Sequence, residues 1–355
     1  MKRKREDGVS LILVLWISVI LTVTVLSFAS FIRLQLKITR NQTERLKAYY
    51  IAEAGINQAI LELRKDNNKY DALNEKWSTN EEAYEGILFG EGEYNVQVID
   101  EESKLNINLP LQEEEDKKTF KVMLFFLPEI KEDQVEVIIN YRKERGIFKS
   151  IDEVSSLKGM NMKTFLGIKD LITVYSFDEK DKTKINLNQA VREELKTKLR
   201  ITYKEADDII KHRPYRHLTD LLEVDWMNKN RLIQLIDRVT VKGSKIAPGR
   251  ININTAGEEV LGALGFDPGV VKLILQRREE SPFNSLPDLM ALPVIDLKRL
   301  KRLNLDLMAT HSHTFTIDSM ATLHNTIVRI RAVVRRDLPY QGRPPKISIL
   351  YWKTL

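Results

Sequence analysis

The uncharged segment Val9–Ile32 is the feature that most constrains the fold of this chain. It has 24 residues without a charged side chain, and a basic cluster, Lys2-Arg3-Lys4-Arg5, precedes it. As an α-helix it is about 36 Å long, which is enough to cross the hydrocarbon core of a bilayer. The positive charge on its N-terminal side favours a cytoplasmic N-terminus and an exported C-terminal body.

Two kinds of processing, besides a plain membrane anchor, fit this N-terminus. Ordinary secretion cleaves after the apolar segment, and Ser27-Phe28-Ala29 offers small residues for it, leaving Ser30 as the new N-terminus. Alternatively, cleavage at Gly8 retains the apolar helix. The basic leader 1–8, ending in glycine before the apolar segment 9–32, resembles the class III signals of type IV pilins and type II secretion pseudopilins. That resemblance implies a prepilin peptidase that cuts between Gly8 and Val9 and methylates Val9.

The fifth residue of such a mature chain is Leu13. Most pilins carry a glutamate there, which meets the N-terminal amine of the subunit above. The resemblance implies that its absence is usual in K-type minor pseudopilins, which are placed at the tip of the filament.

The apolar helix is predicted to continue as an amphipathic helix over residues 33–65, because apolar residues recur there at spacings of three and four. The phrase Ala52-Glu53-Ala54-Gly55-Ile56 resembles a segment of minor pilins, and small residues that face a packed sheet explain it equally well. The apolar positions are Leu34, Ile38, Leu46, Tyr49, Ala52, Ile56, Ala59, Ile60 and Leu63.

Segments with alternating apolar residues predict strands on both sides of a long helical middle. Residues 66–109 are predicted to supply a loop and the first strands, at 94–98 and 104–108. Residues 311–355 are predicted to supply the last strands, with a hairpin loop at 337–345. The predicted fold is therefore α+β: a pilin-like N-terminal helix packed on an antiparallel sheet, with an all-α domain inserted at 110–310.

Three internal repeats occupy this middle section. They begin with the similar phrases Lys104-Leu105-Asn106-Ile107-Asn108, Lys184-Ile185-Asn186-Leu187-Asn188 and Arg250-Ile251-Asn252-Ile253-Asn254. Each phrase is followed by a helical stretch that ends in an arginine (Arg142, Arg213, Arg277) and then by an aromatic residue (Phe148, Tyr215, Phe283). Ser150 and Ser285 are candidates to cap the short helices that follow.

The repeats resemble helix-hairpin-helix motifs, and Ile251 to Ala256 is a phrase that this family uses often. A hairpin that binds phosphate needs glycines, so that backbone N–H groups approach the anion. Only the third hairpin has two, Gly265 and Gly269, with Asp267 between them. The turns at 127–130 and 200–203 have none, so we interpret the hairpins as structural and DNA as an unlikely partner.

No sequence motif for catalysis is present, and without cysteine the chain has neither a thiolate nucleophile nor disulfides. His311 and His313 form a weak candidate for metal binding, since an ordinary strand-edge pair explains them better. Calcium is the one cofactor that we consider, because some pseudopilins bind it in loops. The candidate ligands are Asp100, Glu101, Glu102 and Asp318.

Taken together, the leader, Leu13, the split sheet and the repeats resemble type II secretion system protein K. The resemblance implies a non-enzymatic minor pseudopilin of the inner membrane, with a cytoplasmic N-terminus and a periplasmic body, that caps the pseudopilus tip and helps to initiate its assembly for protein export. The implied partners are other minor pseudopilins, the prepilin peptidase and inner-membrane lipid. Two alternatives remain open: a membrane-anchored helix-hairpin-helix DNA-binding protein of a competence system, and a minor pilin of a type IV pilus.

Overall fold

A computed structural model describes residues 3–111, 114–175, 184–241, 249–337 and 344–355, with side chains from Ser10 onward. Its first element is one continuous helix, α1 (Arg3–Lys65), which joins the apolar and amphipathic segments without a break. The buried face of α1 begins at Ala48 and includes most of the predicted positions beyond it. The predicted positions Leu34, Ile38 and Leu46 are exposed instead, because the apolar core between α1 and the sheet begins only at Ala48.

Short elements connect α1 to the middle of the chain. They are α2 (Glu81–Tyr84), β1 (Ile87–Phe89), β2 (Gly92–Asp100) and a 3-10 helix (Glu101–Ser103).

The three repeats share one architecture: a short strand, helices arranged as hairpins, and a closing strand. The first contains β3 (Leu105–Asn106), α3 (Glu114–Phe125), α4 (Glu132–Arg145), α5 (Asp152–Ser155), α6 (Met162–Ile168) and β4 (Ile172–Thr173). The second contains β5 (Ile185–Asn186), α7 (Arg192–Leu199), α8 (Tyr203–Lys211), a 3-10 helix (Leu218–Glu223), α9 (Lys229–Leu235), a 3-10 helix (Ile236–Arg238) and β6 (Val239–Thr240). The third contains β7 (Ile251–Asn252), α10 (Glu258–Ala263), α11 (Pro268–Glu280), α12 (Leu286–Met290), α13 (Leu297–Leu300), a 3-10 helix (Leu305–Leu307) and β8 (Met308–Ala309).

After the repeats, the chain completes a five-stranded sheet with β9 (Thr314–Leu323), β10 (Thr326–Arg336) and β11 (Ile347–Thr354). The strand order is β1-β2-β9-β10-β11, and every neighbouring pair is antiparallel. In the central pair, Val98 lies opposite Ile317. The predicted antiparallel sheet, divided in sequence by a helical domain, is confirmed. The predicted hairpin loop at 337–345 lies largely outside the described residues.

The predicted strand at 104–108 does not belong to this sheet. Its residues Leu105 and Asn106 form β3, which pairs in parallel with β4 at the end of the same repeat. The other two repeats close in the same way, with β5 beside β6 and β7 beside β8. The inserted domain is helical, as predicted, and three parallel pairs of two-residue strands close its repeats. The alternating Leu105-Asn106-Ile107 pattern indicated a strand correctly, but pattern alone does not identify the pairing partner.

The molecule has two apolar cores. One lies between α1 and the sheet, where Trp77 packs edge-on against Phe315 with ring centroids 5.1 Å apart. The other runs through all three repeats, from Leu105 to Met308. Gly55 lets α1 approach the sheet, since a Cβ atom there would lie 2.4 Å from Ser319 Oγ and 2.8 Å from Val96 Cγ2. This close contact explains the small residues at 52–55.

Candidate functional site: apolar helix, repeats and buried junction

The apolar part of α1 is uncovered in this chain. Leu13 is 59% exposed, and most large apolar side chains from Leu11 to Leu36 are exposed in the same way. Among the described residues, one helix is long and apolar enough to cross a membrane, and it is α1. Gly8 and Val9 lie within α1, before the part of the helix whose side chains the structure describes. The cleavage site between them stays a prediction.

The second asparagine of each repeat phrase joins the two ends of its repeat. Asn108 Oδ1 accepts from Phe148 N–H at 2.8 Å, while its Nδ2 donates to the carbonyl oxygens of Phe148 and Val174. Asn188 and Asn254 bond in the same way to the corresponding residues, Tyr215 and Val241 in one repeat and Phe283 and Thr310 in the other. The spacing from phrase to aromatic therefore reflects a hydrogen-bonded unit whose aromatic ring is buried in all three copies.

An arginine from each first hairpin binds the segment that directly follows the opening strand. Arg142 donates to the carbonyl oxygens of Ile107 and Leu109, and Arg213 donates to that of Ala190. In the third repeat this role belongs to Arg278, which donates to Ile253 O and Ala256 O. Arg277 instead donates to Ser281 O. Arg142 also donates to Gly146 O, the carbonyl four residues later, as Arg277 does to Ser281 O, so the third repeat divides the two roles of Arg142 between Arg277 and Arg278.

Carboxylates, not serines, hold the start of each second hairpin. Neither Ser150 nor Ser285 makes a side-chain cap bond. Glu153, Asp220 and Asp288 instead accept from the N–H of the residue directly after the aromatic, at 3.1, 2.7 and 3.0 Å. Each acid lies five residues after its aromatic, a regular signal in the sequence that could have revealed this role.

The turns of the three first hairpins use left-handed backbone conformations. Glu129, Arg200 and Gly265 have φ values of 59°, 57° and 100°. Only the third turn uses glycine, and there the reason is space as well as φ: a Cβ atom on Gly265 would lie 2.7 Å from Arg302 O. Glycine therefore serves close packing in this hairpin.

The helix N-termini after these turns are occupied by side chains of the protein itself. Gln134 accepts from Lys131 N–H at 3.0 Å, and Glu205 accepts from Thr202 N–H at 2.7 Å. In the third hairpin, Pro268 removes one N–H donor, and the preceding Asp267 is paired with Arg299. A phosphate held at a helix N-terminus requires free N–H donors and no competing carboxylate. These three hairpins do not offer that combination.

A polar cluster, which we call the buried junction, joins the sheet to the third repeat. Its members come from distant parts of the sequence: Asp66, Asp71, Asp100, Asn252, Thr255, Ser312 and Arg336. Asp100 Oδ2 accepts from the hydroxyls of Thr255 and Ser312, both at 2.6 Å, and from Asn252 Nδ2 at 3.2 Å. Burial raises the pKa of Asp100 to about 6, the charge of Glu102 adds to the rise, and the bonds from Ser312 and Thr255 oppose it.

Arg336 neutralises the other side of the buried junction. Its guanidinium binds Asp71 at 2.5 Å and Asp66 at 2.7 Å and also donates to Ser312 O. Burial raises the pKa of Asp71, and Arg336 opposes that rise. The pKa of Arg336 is raised by Asp71 and Asp66 against the effect of burial, so its positive charge is retained. The sequence did not single out Arg336 or Asp71, because they lie 265 residues apart.

The structure separates Asp318 from the other calcium candidates. Asp318 pairs with Arg331 on the sheet at 2.7 Å. Glu101 accepts from Thr173, Thr316 and Lys104, and Glu102 accepts from His313 N–H at 2.8 Å. These contacts assign the three acids at 100–102 a structural role between sheet and repeats. Calcium at these residues is untested and stays a prediction.

Two other groups contain metal-ligand residue types. Among the described residues, the carboxylates of Asp66, Asp71 and Glu75 lie within 4.8 Å of one another. Arg336 and Trp77, among others, already donate to them. The rings of His311 and His313 meet edge to face with centroids 5.2 Å apart. Both residues precede β9, so they do not form the predicted strand-edge pair.

Comparison with known proteins agrees with this architecture in part of the chain. The family model for type II secretion system (T2SS), protein K matches residues 251–307, and the model for the helix-hairpin-helix motif matches residues 180–240. The resemblance to protein K is thus confirmed over the third repeat. The crystal structure of the GspK-GspI-GspJ complex from the enterotoxigenic Escherichia coli type 2 secretion system is similar to 89% of this chain and 98% of the matched chain, with 16% identity and a TM-score of 0.46. No curated protein matches the chain.

Proposed function

We propose that this chain is a minor pseudopilin of a type II secretion system that caps the tip of the pseudopilus and helps to initiate its assembly. The apolar section of α1 anchors it in the inner membrane, with the body on the periplasmic side. The role is structural and not enzymatic. Its partners are the other minor pseudopilins, met through α1, and the prepilin peptidase that removes residues 1–8.

The observation that carries this proposal is the position of the three repeats at the far end of α1. The helix begins with the apolar segment and ends at Lys65, about 90 Å away. Asp66 follows directly and joins Arg336 in the buried junction, to which the third repeat is bonded through Asn252 and Thr255. The bulky domain therefore sits opposite the membrane end, where it obstructs the stacking of a further subunit.

The hairpins support a scaffold over a DNA-binding domain. Gln134 and Glu205 cap two of the helix N-termini, and the third begins with Pro268 and is preceded by the carboxylate of Asp267. We expect the full chain to show no salt-dependent affinity for duplex DNA at physiological ionic strength. Submicromolar binding with a steep salt dependence would contradict the proposal.

The assignment is tested at the N-terminus. In cells that contain a prepilin peptidase, mass spectrometry of the mature chain should find a methylated Val9, and Gly8→Ala should leave the leader attached. An N-terminus at Ser30 indicates ordinary secretion and contradicts the pseudopilin assignment.

The tip position needs its own experiment. Because the chain has no cysteine, Met162→Cys provides a single labelling site, at a side chain that is 61% exposed in the first repeat. Labels confined to one end of each assembled filament are expected. Labels distributed along the filament would refute capping.

We also expect the chain to bind calcium through the candidate acids at 100–102. Saturating calcium should raise the melting temperature of the full chain, and chelator should reverse the effect. An unchanged melting temperature would remove calcium from the description.

A further inference from the structure

A basic cleft lies beside α1 at residues 37–45, directly after the apolar section of the helix. Its volume is about 690 Å³. It is formed by α1 residues on one side, and on the other by the turn between β9 and β10, the start of β10 and residues 354–355 at the end of β11. The residues that matter for its chemistry are Lys37, Arg40 and Arg45 on the helix, and His324 and Asn325 on the turn. We propose that this cleft binds the headgroup of an anionic phospholipid. The inference rests on the proposal that the apolar part of α1 is held in a membrane.

The charge around the cleft favours an anion. Residues 33–47 contain five basic residues and one acidic residue, Glu44. Glu44 binds Arg40 at 2.9 Å and lies 3.9 Å from His324 Nδ1, so it orients the wall of the cleft while neutralising only part of its charge. Lys37 and Arg45 add two further cations. Each basic residue near an anionic bilayer surface contributes about 1 kcal/mol of attraction, which is about fivefold in affinity.

The depth of the cleft matches the headgroup layer. Exposed apolar side chains continue past Ile32 to Leu36 and Ile38, and beyond Ile38 they are isolated, so the continuous apolar surface of α1 ends near Ile38. Arg40 follows within about 3 Å of helix rise and Arg45 within about 10 Å. In an α-helix the Cα–Cβ bonds tilt toward the N-terminus, which here is the membrane side. The basic side chains therefore extend back toward the lipid phosphates, as long cationic side chains do near membrane interfaces.

The turn between β9 and β10 completes the site. His324 has a φ of 51°, a left-handed conformation that closes the hairpin tightly and brings its ring toward Glu44 on α1. Asn325 and Thr326 line the cleft next to it and carry side-chain hydrogen-bond donors. A phosphodiester in the cleft would thus meet cations on one wall and neutral donors on the other.

The test uses the full chain in detergent and native mass spectrometry to count retained lipids. The probes are phosphatidylglycerol and phosphatidylcholine of equal chain length, so that only the headgroup charge differs. We expect the chain to retain phosphatidylglycerol at least fivefold more. The triple variant Lys37→Gln, Arg40→Gln, Arg45→Gln should lose this preference. The triple variant Lys149→Gln, Lys158→Gln, Lys169→Gln removes the same charge from exposed positions of the first repeat and should retain it.

Three outcomes would overturn the inference: equal retention of both lipids, equal behaviour of the two triple variants, or loss of the preference in 10 mM inorganic phosphate. The last result would identify free phosphate as the ligand. Flotation with phosphatidylcholine vesicles separates this failure from failure of the proposed function. A chain that floats without a headgroup preference disproves only the lipid site, and a chain that does not float disproves the membrane anchor as well.

Discussion

The first and third repeats use the same internal hydrogen bonds, yet they are joined to the sheet differently. The first repeat is joined through Thr173, which donates to Glu101, a residue that also accepts from Thr316 of β9. Asn106 and Asn252 occupy the same position, and each accepts from the N–H two residues later. The Asn106 amide then donates to Tyr175 within its own repeat. The Asn252 amide instead donates to Asp71 O, Asp100 Oδ2 and Ser312 Oγ, which all lie outside the third repeat.

The residue that directly follows each repeat phrase adds to this difference. The phrase continues with Leu109 in the first repeat, whereas the third has Thr255, whose hydroxyl binds Asp100. The first repeat meets the third through a close contact, since a Cβ atom on Gly249 would lie 2.3 Å from Asn106 Cβ. The equivalent asparagine can therefore serve its own repeat or the junction with the sheet, according to which polar groups it faces.

The largest expected effect comes from breaking the attachment at Arg336. Arg336→Met leaves the buried Asp71 without its cation, and we expect a loss of about 3–5 kcal/mol in unfolding free energy. Thermal unfolding of the full chain in detergent measures it. Arg331→Met is the matched control: it removes an arginine from the same strand, whose ion pair with Asp318 is more exposed, and should cost at most about 1 kcal/mol. Equal losses would contradict the special role of the buried junction.

Replacing the equivalent asparagines should give unequal losses. Asn252→Ala leaves buried acceptors of the junction without a donor and should cost about 2–3 kcal/mol. Asn106→Ala loses bonds within one repeat and should cost about 1–2 kcal/mol. The difference should appear as a lower melting temperature for Asn252→Ala. A larger loss for Asn106→Ala would reverse the comparison.

The second asparagine of the phrase makes the same bonds in both repeats, so its replacement should lower the unfolding free energy equally. Asn108→Ala and Asn254→Ala remove the same bonds to the aromatic residue and the closing strand, so each should cost about 1–2 kcal/mol. Melting curves measured in parallel decide this. If one variant unfolds the chain and the other is neutral, the two repeats are not equivalent units.

The smallest expected effect is a pH dependence of the unfolding free energy. It comes from Asp100, to which Asn252 and Thr255 of the third repeat donate. Its folded pKa of about 6 lies above the ordinary value near 4, so the folded state binds the proton more tightly. The resulting stability is present at low pH and is lost as the pH rises through 6. We expect a loss of about 1 kcal/mol between pH 5 and pH 8. Asp100→Asn cannot titrate and should flatten this part of the profile; an unchanged slope would refute the assignment.

Local patterns determined much of this protein in advance. The uncharged run Val9–Ile32 dictates a long apolar helix, since no other secondary structure satisfies its backbone in an apolar environment. Alternation along 94–98 and 328–334 dictates half-buried strands, and the recurring asparagine and aromatic positions define the repeats. These features depend on neighbours in sequence, so their periodicity records them directly.

Tertiary structure alone decided which segments meet. The strand predicted at 104–108 pairs with β4 and not with the sheet, and Arg278 rather than its neighbour Arg277 binds the segment after β7. The acids proposed for calcium at 100–102 bind hydroxyl, backbone and lysine donors that lie up to 215 residues away. Alternation fixes the faces of a strand but not its partner, and a carboxylate looks the same in sequence whether it faces water, a cation or a buried hydroxyl. The buried junction exists only because folding brings Asp71, Asn252 and Arg336 together, so no local pattern records it.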